Sequence, residues 1–442
     1  METSALKTNP AQALRDLGRH MLADGFDIVA DLGKSQGARI YDAKRDTRYL
    51  DFFSCFATCP LGYNHPGLTT PEALDRLARA AINKPSNSDL YSWEMLEFVE
   101  TFARFAKRDL FKYAFFIEGG ALAVENCLKA AFDWKVRKNL AKGVGAKGCK
   151  IIHFRDAFHG RSGYTLSLTN TDPSKTDYFP QFDWPRILNP KCAYPLKGDN
   201  LQSAEQEEAE ALRQIEAAID QNPDDVAAII LEPIQSEGGD HHFRPQFHQA
   251  IRRICDEREV LLIHDEVQTG FGPSGKFWCF EHYGVRPDLL AFGKKSQVCG
   301  ALAGERLDEV ADNVFHLSSR INSTWGGNLV DMVRCSMYLK IYEEEKILDQ
   351  VRQSGEVLMR RLEEIQGEFP QLVSNLRGKG LLCAFDLPST ELRRKLRLKL
   401  LDRRLLILGS GTHSIRFRTA LNIPQKDLEE GLDIIRQTLK EL

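Results

Sequence analysis

Five short apolar runs in the middle of the chain constrain its fold more than any other feature. They are Tyr113–Ile117, Lys150–Phe154, Val226–Leu231, Val260–Ile263 and Leu289–Phe292. Each is too short for a stable helix, and each is nearly continuous where a half-exposed strand would alternate. That is the pattern of strands buried on both faces. Helical patterns lie between them. After Gly119-Gly120, Val124, Leu128, Ala131 and Phe132 form one apolar stripe, and Phe247–Arg258 carries Ala250, Ile251 and Ile254 on one face. Strands alternating with helices build a mostly parallel sheet covered on both sides, an α/β fold.

At 442 residues the chain exceeds one ordinary domain. The expected division is an N-terminal segment over 1–66 that joins a small domain, a large domain over 67–327, and a small α+β domain over 328–442. The last closes on a helix with Leu428, Leu432, Ile435 and Leu439 on one side. The polar stretch Lys191–Asn222, with its acidic run Glu205–Glu210, reads as a solvated loop followed by a surface helix. A net charge of −3 carries no basic patch of the nucleic-acid or membrane-surface kind. The N-terminus lacks the apolar core of a signal peptide, and no run approaches membrane-spanning length. The ten cysteines are scattered, and the only close pair, Cys55 and Cys59, fits no zinc or redox spacing. The expectation is reduced thiols in a cytoplasmic protein, with no metal and no nucleic-acid or membrane partner.

In an open α/β sheet, ligands bind at the carboxyl ends of the strands, and three features meet there. Tyr113–Ile117 runs into Glu118-Gly119-Gly120-Ala121 and then a helix, an arrangement that offers free N–H groups to an anion, although such a turn is often only a turn. Val260–Ile263 leads into His264-Asp265-Glu266, and a carboxylate at the end of a buried strand must pair with something: a protonated ring nitrogen, an arginine or a helix cap. Leu289–Phe292 leads into Gly293-Lys294-Lys295, where desolvation and a nearby cation would lower a lysine's pKa and give a neutral amine. Asp265 and Lys294 are 29 residues apart, one β-α-β step, so both can face one crevice. An imine-forming lysine, an aspartate for a pyridinium nitrogen and a glycine-helix phosphate cradle are the parts pyridoxal 5'-phosphate (PLP) requires.

From about Leu50 onward the chain resembles the class III (omega) aminotransferases. The stretch LLIHDEVQTGFGPSGKFWCFEHYGVRPDLLAFGKK is a long and specific echo of the family's cofactor segment. KPSNSDLYSWEMLEFVETFARF, FFIEGGALAVENCLKAAFDWK, AFGKKSQVCG and NSTWGGNLVDMVR most resemble the members that act on the ε-amino group of L-lysine. Most of the family carries Ser-Gly-Thr where this chain has Gly119-Gly120-Ala121, so phosphate binding here should lean on backbone N–H groups. The resemblance implies fold-type I PLP architecture: a large, mostly parallel seven-stranded-type sheet domain plus the small domain. It implies a homodimer with shared active sites, in which Thr324 reaches the phosphate of the partner subunit.

By the same resemblance Lys294 is the Schiff-base lysine, with Lys295 the rival and a structural or surface residue. Asp265 binds the pyridinium nitrogen, Gln268 reaches the phenolic oxygen, Phe158 stacks on the ring, and Gly120, Ala121 and His159 complete the cofactor set. Arg416 matches the arginine for the α-carboxylate of 2-oxoglutarate, while Arg418, two residues on, would share its face on a strand. Arg161 is the candidate for the distal carboxylate, and Asn322 joins the substrate set. Glu237 would pair with Arg416 when lysine is bound. Thr419-Ala420 stands where the family usually has Pro-Pro. The implied activity is transfer of the ε-amino group of L-lysine to 2-oxoglutarate. Ornithine or 4-aminobutyrate as donor, and a catalytically silent binding protein on the same fold, are the rival readings.

Overall fold

The computed structural model describes residues 9–442. A seven-stranded sheet holds β1 (Tyr113–Ile117), β2 (Lys150–Phe154), β3 (Arg186–Ile187), β4 (Val226–Leu231), β5 (Leu261–Asp265), β6 (Leu289–Phe292) and β7 (Cys299–Ala303). Their order across the sheet is β1-β7-β6-β5-β4-β2-β3. The strands from β2 to β6 pair in parallel, and β7 runs antiparallel between β6 and β1.

Four of the five apolar runs are strands at the expected bounds. The fifth starts one residue later and continues through His264 and Asp265, which pair with Leu290 and Ala291 of β6. Polarity does not end this strand, because backbone pairing continues while its side chains turn to cavity and core. Two strands were not legible. β3 is only two residues long, and β7 is Cys-Gly-Ala-Leu-Ala, poor in the β-branched residues that mark strands. Tertiary packing makes β7 a strand: a Cβ on Gly300 would stand 2.1 Å from the Phe115 carbonyl oxygen, so the glycine permits this close approach.

Successive residues of one strand serve opposite cores. Ile230 and Ile263 pack with Leu128 and Trp134 of helix α1 (Gly120–Ala141), whereas Ile229 and Leu262 pack with Ile215 of α2 (Asp199–Gln221) and Ile251 of α3 (Pro245–Glu257). Burying each such side chain is worth about 1.5–3 kcal/mol. Helix α2 is less solvated than its composition suggests. Ala204, Ala211 and Ile215 are buried, and so is Glu208, which accepts from Arg244 Nε at 3.1 Å. Part of the acidic run therefore tethers α2 to the start of α3.

Beyond the sheet domain, helices α4 (Leu329–Glu344) and α5 (Ile347–Glu368) lead to a four-stranded antiparallel sheet. That sheet is ordered Ser374–Lys379, Leu382–Asp386, Ser414–Arg416, Leu408–Ser410. Near the other end of the chain, Arg39–Asp42 and Thr47–Asp51 form a hairpin to which Leu405–Leu406 adds in parallel. The closing helix α6 (Gln425–Leu439) buries Leu428, Leu432, Ile435 and Leu439. All ten cysteines are free. Among the described residues no helix is long and apolar enough to cross a membrane.

Candidate active site

Parallel strands deliver their carboxyl ends to one edge of the sheet, and a cavity of about 530 Å³ opens there. Gly120, Ala121, Phe158, His159, Arg161, Asp265, Gln268 and Lys294 all line it.

At the end of β1, Gly119 takes φ +100°, a conformation that side-chain-bearing residues rarely adopt, and turns the chain into α1. No side chain caps the first turn of α1, so its leading N–H groups face the cavity with the positive end of the helix dipole. Gly160, at φ +119°, lets the loop after β2 close onto this turn, since a Cβ there would meet the Ala121 Cβ at 2.6 Å.

Asp265 closes β5, and its two oxygens are held separately. Oδ1 accepts the Val267 N–H at 3.0 Å, and Oδ2 lies 2.8 Å from His159 Nδ1. Because the carboxylate accepts, Nδ1 carries the proton, which leaves His159 Nε2 as a buried nitrogen with no partner. Glu232 at the end of β4 also lines the cavity; its oxygens accept the N–H groups of Phe158 and Ser236, each at 3.0 Å. Burial pushes this carboxyl up to about 7, despite the pull of His159.

Lys294, two residues after β6, adopts φ +53°, a left-handed conformation costing a non-glycine residue about 1–2 kcal/mol. Gln297 holds it: its N–H donates to the Lys294 carbonyl at 2.9 Å, and its Nε2 to the Thr58 carbonyl at 2.7 Å. Burial, then the charges of Arg416 and Arg418, lower the Lys294 ammonium from its usual range to about 8. Lys295 goes elsewhere. It is 2% exposed, its Nζ donates to the Gln268 carbonyl at 2.5 Å, and burial drives its pKa well down. It is a structural lysine and not a surface one.

Glu237 and Arg416 form an ion pair, Oε2 to Nη2 at 2.7 Å. Arg416 is 1% exposed and its Nε has no partner. Burial raises the Glu237 carboxyl, but Arg416 and Lys175 outweigh it and hold the group below the ordinary glutamate range. Arg418 does not share the strand with Arg416, because that strand stops at Arg416. It is buried, donating from Nε to Gln268 Oε1 at 2.7 Å and from Nη2 to Asp240. The side chain of Gln268 is thus already engaged on its oxygen.

Asn322 and Thr324 stand apart. Both are exposed, neither lines the Lys294 cavity, and Asn322 borders a different depression beside Asn87, Tyr91 and Phe315. Sequence reasoning missed Glu232, although Leu231-Glu232 carries the same signal as Asp265, a carboxylate ending a buried strand. It also missed Gln297 and Thr58, whose parts depend on loop geometry.

The donor set fits PLP: an uncapped helix start for a phosphate, a carboxylate anchored beside a ring-sized space, an aromatic wall at Phe158, and a desolvated amine. The profile of one family, described as aminotransferase class-III, matches residues 23–439. The chain is similar to L-lysine-epsilon aminotransferase of Mycobacterium tuberculosis, 50% identical over 98% of this chain and 96% of the relative. It is 47% identical to the Streptomyces clavuligerus protein of that name, over 96% of this chain and 93% of the relative. A solved structure, lysine aminotransferase from M. tuberculosis in the internal aldimine form, superposes with a TM-score of 0.96 at 50% identity, covering 98% of this chain and all of that one.

Proposed function

Because the chain belongs to the class-III aminotransferases, we propose that it is an L-lysine 6-transaminase, moving the ε-amino group of L-lysine to 2-oxoglutarate and yielding L-glutamate and 2-aminoadipate 6-semialdehyde. The observation that carries this reading is the Glu237–Arg416 pair beside the Lys294 cavity. One pocket must take two substrates by turns. Lysine brings no carboxylate near its reacting carbon, whereas 2-oxoglutarate brings one directly beside it. A buried arginine with a displaceable counter-charge suits both. While Glu237 stays, the positive charge is masked; when it leaves, the Nε–Nη2 edge of Arg416 is free for a bidentate carboxylate.

When bound, PLP supplies an aldehyde that accepts the amino group and a ring that takes up the electron pair of the substrate carbon. Lys294 supplies the amine that holds the aldehyde, and its Nζ then carries the proton removed from the substrate carbon. Asp265 would hold the ring nitrogen, with His159 fixing the orientation of its carboxyl group. Gly120 and Ala121 would offer N–H groups to the PLP phosphate, Phe158 would cover one ring face, and Gln268, which also lines the cavity, would reach the phenolic oxygen. Arg161, exposed at the cavity wall, receives the distal carboxylate.

The enzyme works as a homodimer in the cytoplasm in this reading, with Thr324 and Asn322 entering the cavity of the partner. The support is exposed apolar surface on the segment beside them, where Tyr91 borders the same depression as Asn322. Tyr91 and Trp93 are 81% and 83% exposed, and the Ser86 hydroxyl of the same segment donates to the Thr324 carbonyl at 2.5 Å. A donor series with 2-oxoglutarate tests the activity. Lysine should exceed ornithine and 4-aminobutyrate in kcat/KM, and one methylene in a fitted pocket sets the expected margin over ornithine at about 10- to 200-fold. Preference for either shorter donor would overturn the substrate assignment.

A further inference from the structure

Glu237 has a second cationic neighbour that dual-substrate recognition by Arg416 does not use. Lys175 ends a short turn, Pro173–Lys175, in the loop between β2 and β3. Its Nζ donates to Glu237 Oε1 at 3.0 Å and to Thr171 Oγ1 at 3.3 Å, and it sits 5.4 Å from the centre of the Phe158 ring. The lysine thus sits between a wall of the cavity and Glu237 of the Glu237–Arg416 pair. Each oxygen of Glu237 faces a different cation: Oε2 faces Arg416 and Oε1 faces Lys175.

That division matters when Arg416 is wanted by a substrate. A carboxylate leaving Arg416 must be solvated, protonated or paired again; the Glu237 side chain is 29% exposed, so water can reach it, but a solvated charge would stay unneutralised beside the incoming carboxylate. We propose that Lys175 is the second berth of Glu237, receiving the carboxylate when the keto acid takes Arg416, and so a specificity-determining residue for the 2-oxoglutarate half-reaction. Lys175 gains from the move, because both oxygens of Glu237 become available to it. The incoming carboxylate gains as well, since the displaced negative charge stays neutralised instead of facing it. Lysine, which binds with Glu237 still on Arg416, needs no such transfer. This inference rests on the displacement of Glu237 proposed above.

The test uses the cofactor-loaded enzyme with two readouts: calorimetric binding of glutarate, an unreactive dicarboxylate, and single-turnover rates for each half-reaction. Lys175→Gln should weaken glutarate binding and raise the apparent KM for 2-oxoglutarate by about 3- to 10-fold, between the worth of an exposed ion pair and that of a charged hydrogen bond. The lysine half-reaction should lose by a much smaller factor, and Lys175→Arg should restore most of the binding. In a Glu237→Gln background the lysine has no carboxylate to receive, so adding Lys175→Gln should change nothing further. Equal losses in both half-reactions, or an undiminished effect in that background, overturn the berth while leaving the displacement intact. If Glu237→Gln alone alters both half-reactions equally, displacement itself fails and the berth falls with it.

Discussion

The two ends of the proposed site are built by different means: the ring end is the Lys294 cavity, and the carboxylate end centres on the Glu237–Arg416 pair, which lies beside that cavity without lining it. At the ring end, Asp265, Glu232 and Lys294 stand at or just beyond the last residue of a parallel strand, and the strands fix their positions through backbone pairing. At the carboxylate end, Glu237, Lys175 and Arg161 come from loops, and Arg416 from a three-residue strand of the smaller sheet. Side-chain length does not separate the two ends, since Lys294 and Glu232 are as long as Lys175 and Glu237; the backbone beneath them does, paired strand ends on one side and mostly loops on the other. The difference teaches that preorganisation is placed where the chemistry is invariant, and adaptability where two substrates alternate.

The largest effect that would sharpen this contrast is at Lys294. Lys294→Ala should abolish covalent capture of PLP and steady-state turnover, while Lys295→Ala should keep capture at Lys294 and instead lose stability, by about 2–4 kcal/mol for an emptied buried site and an orphaned Gln268 carbonyl. Borohydride reduction with peptide mapping and thermal melting separate the two. Capture by the cofactor-free protein should also rise with pH up to about 8 and then level off, because the amine and not the ammonium reacts and its pKa is lowered, not raised. A rate still climbing at pH 10 would show an unperturbed lysine.

Next in size is Asp265→Asn, which keeps the Val267 contact but removes the charge from the ring end. A loss of at least about 100-fold in single-turnover rate is expected, the scale of a positioned electrostatic group. A near-normal rate would mean that the ring end does not depend on that carboxylate. The smallest effects belong to the adaptable end and are unequal by design. Arg416→Ala should cost the 2-oxoglutarate half-reaction about 10- to 150-fold and the lysine half-reaction far less. Glu237→Ala should fall mainly on the lysine half-reaction. Equal losses would make the pair a fixed structural bridge and erase the contrast.

The same contrast governs what was legible beforehand. Asp265 and Lys294 each follow an apolar run, so a strand reading put them at one edge, and β1, β2, β4 and β6 appear at their expected limits. Lys294 and Lys295 are adjacent in sequence yet end in a cavity and in a core. A left-handed backbone angle decides which is which, and no residue type announces it. Lys175 was invisible because its place depends on how the loop after β2 folds back over Phe158. Arg416 was readable from the resemblance, but the separate course of Arg418 was not, since nothing in Arg-Phe-Arg signals that the strand stops at the first arginine.

The parallel run of β2, β4, β5 and β6 has a consequence for anyone who wishes to attach something to this enzyme. A sheet whose reactive groups all stand at carboxyl ends has a working rim and a blind rim. The turn at Gly143–Lys147, entering β2, lies on the blind rim and is largely exposed. Gly143 and Gly145 there take positive φ with open space around them. It is a natural port for a tag, a surface linker or an inserted peptide, because cargo placed there is separated from Lys294 by the full length of the sheet strands.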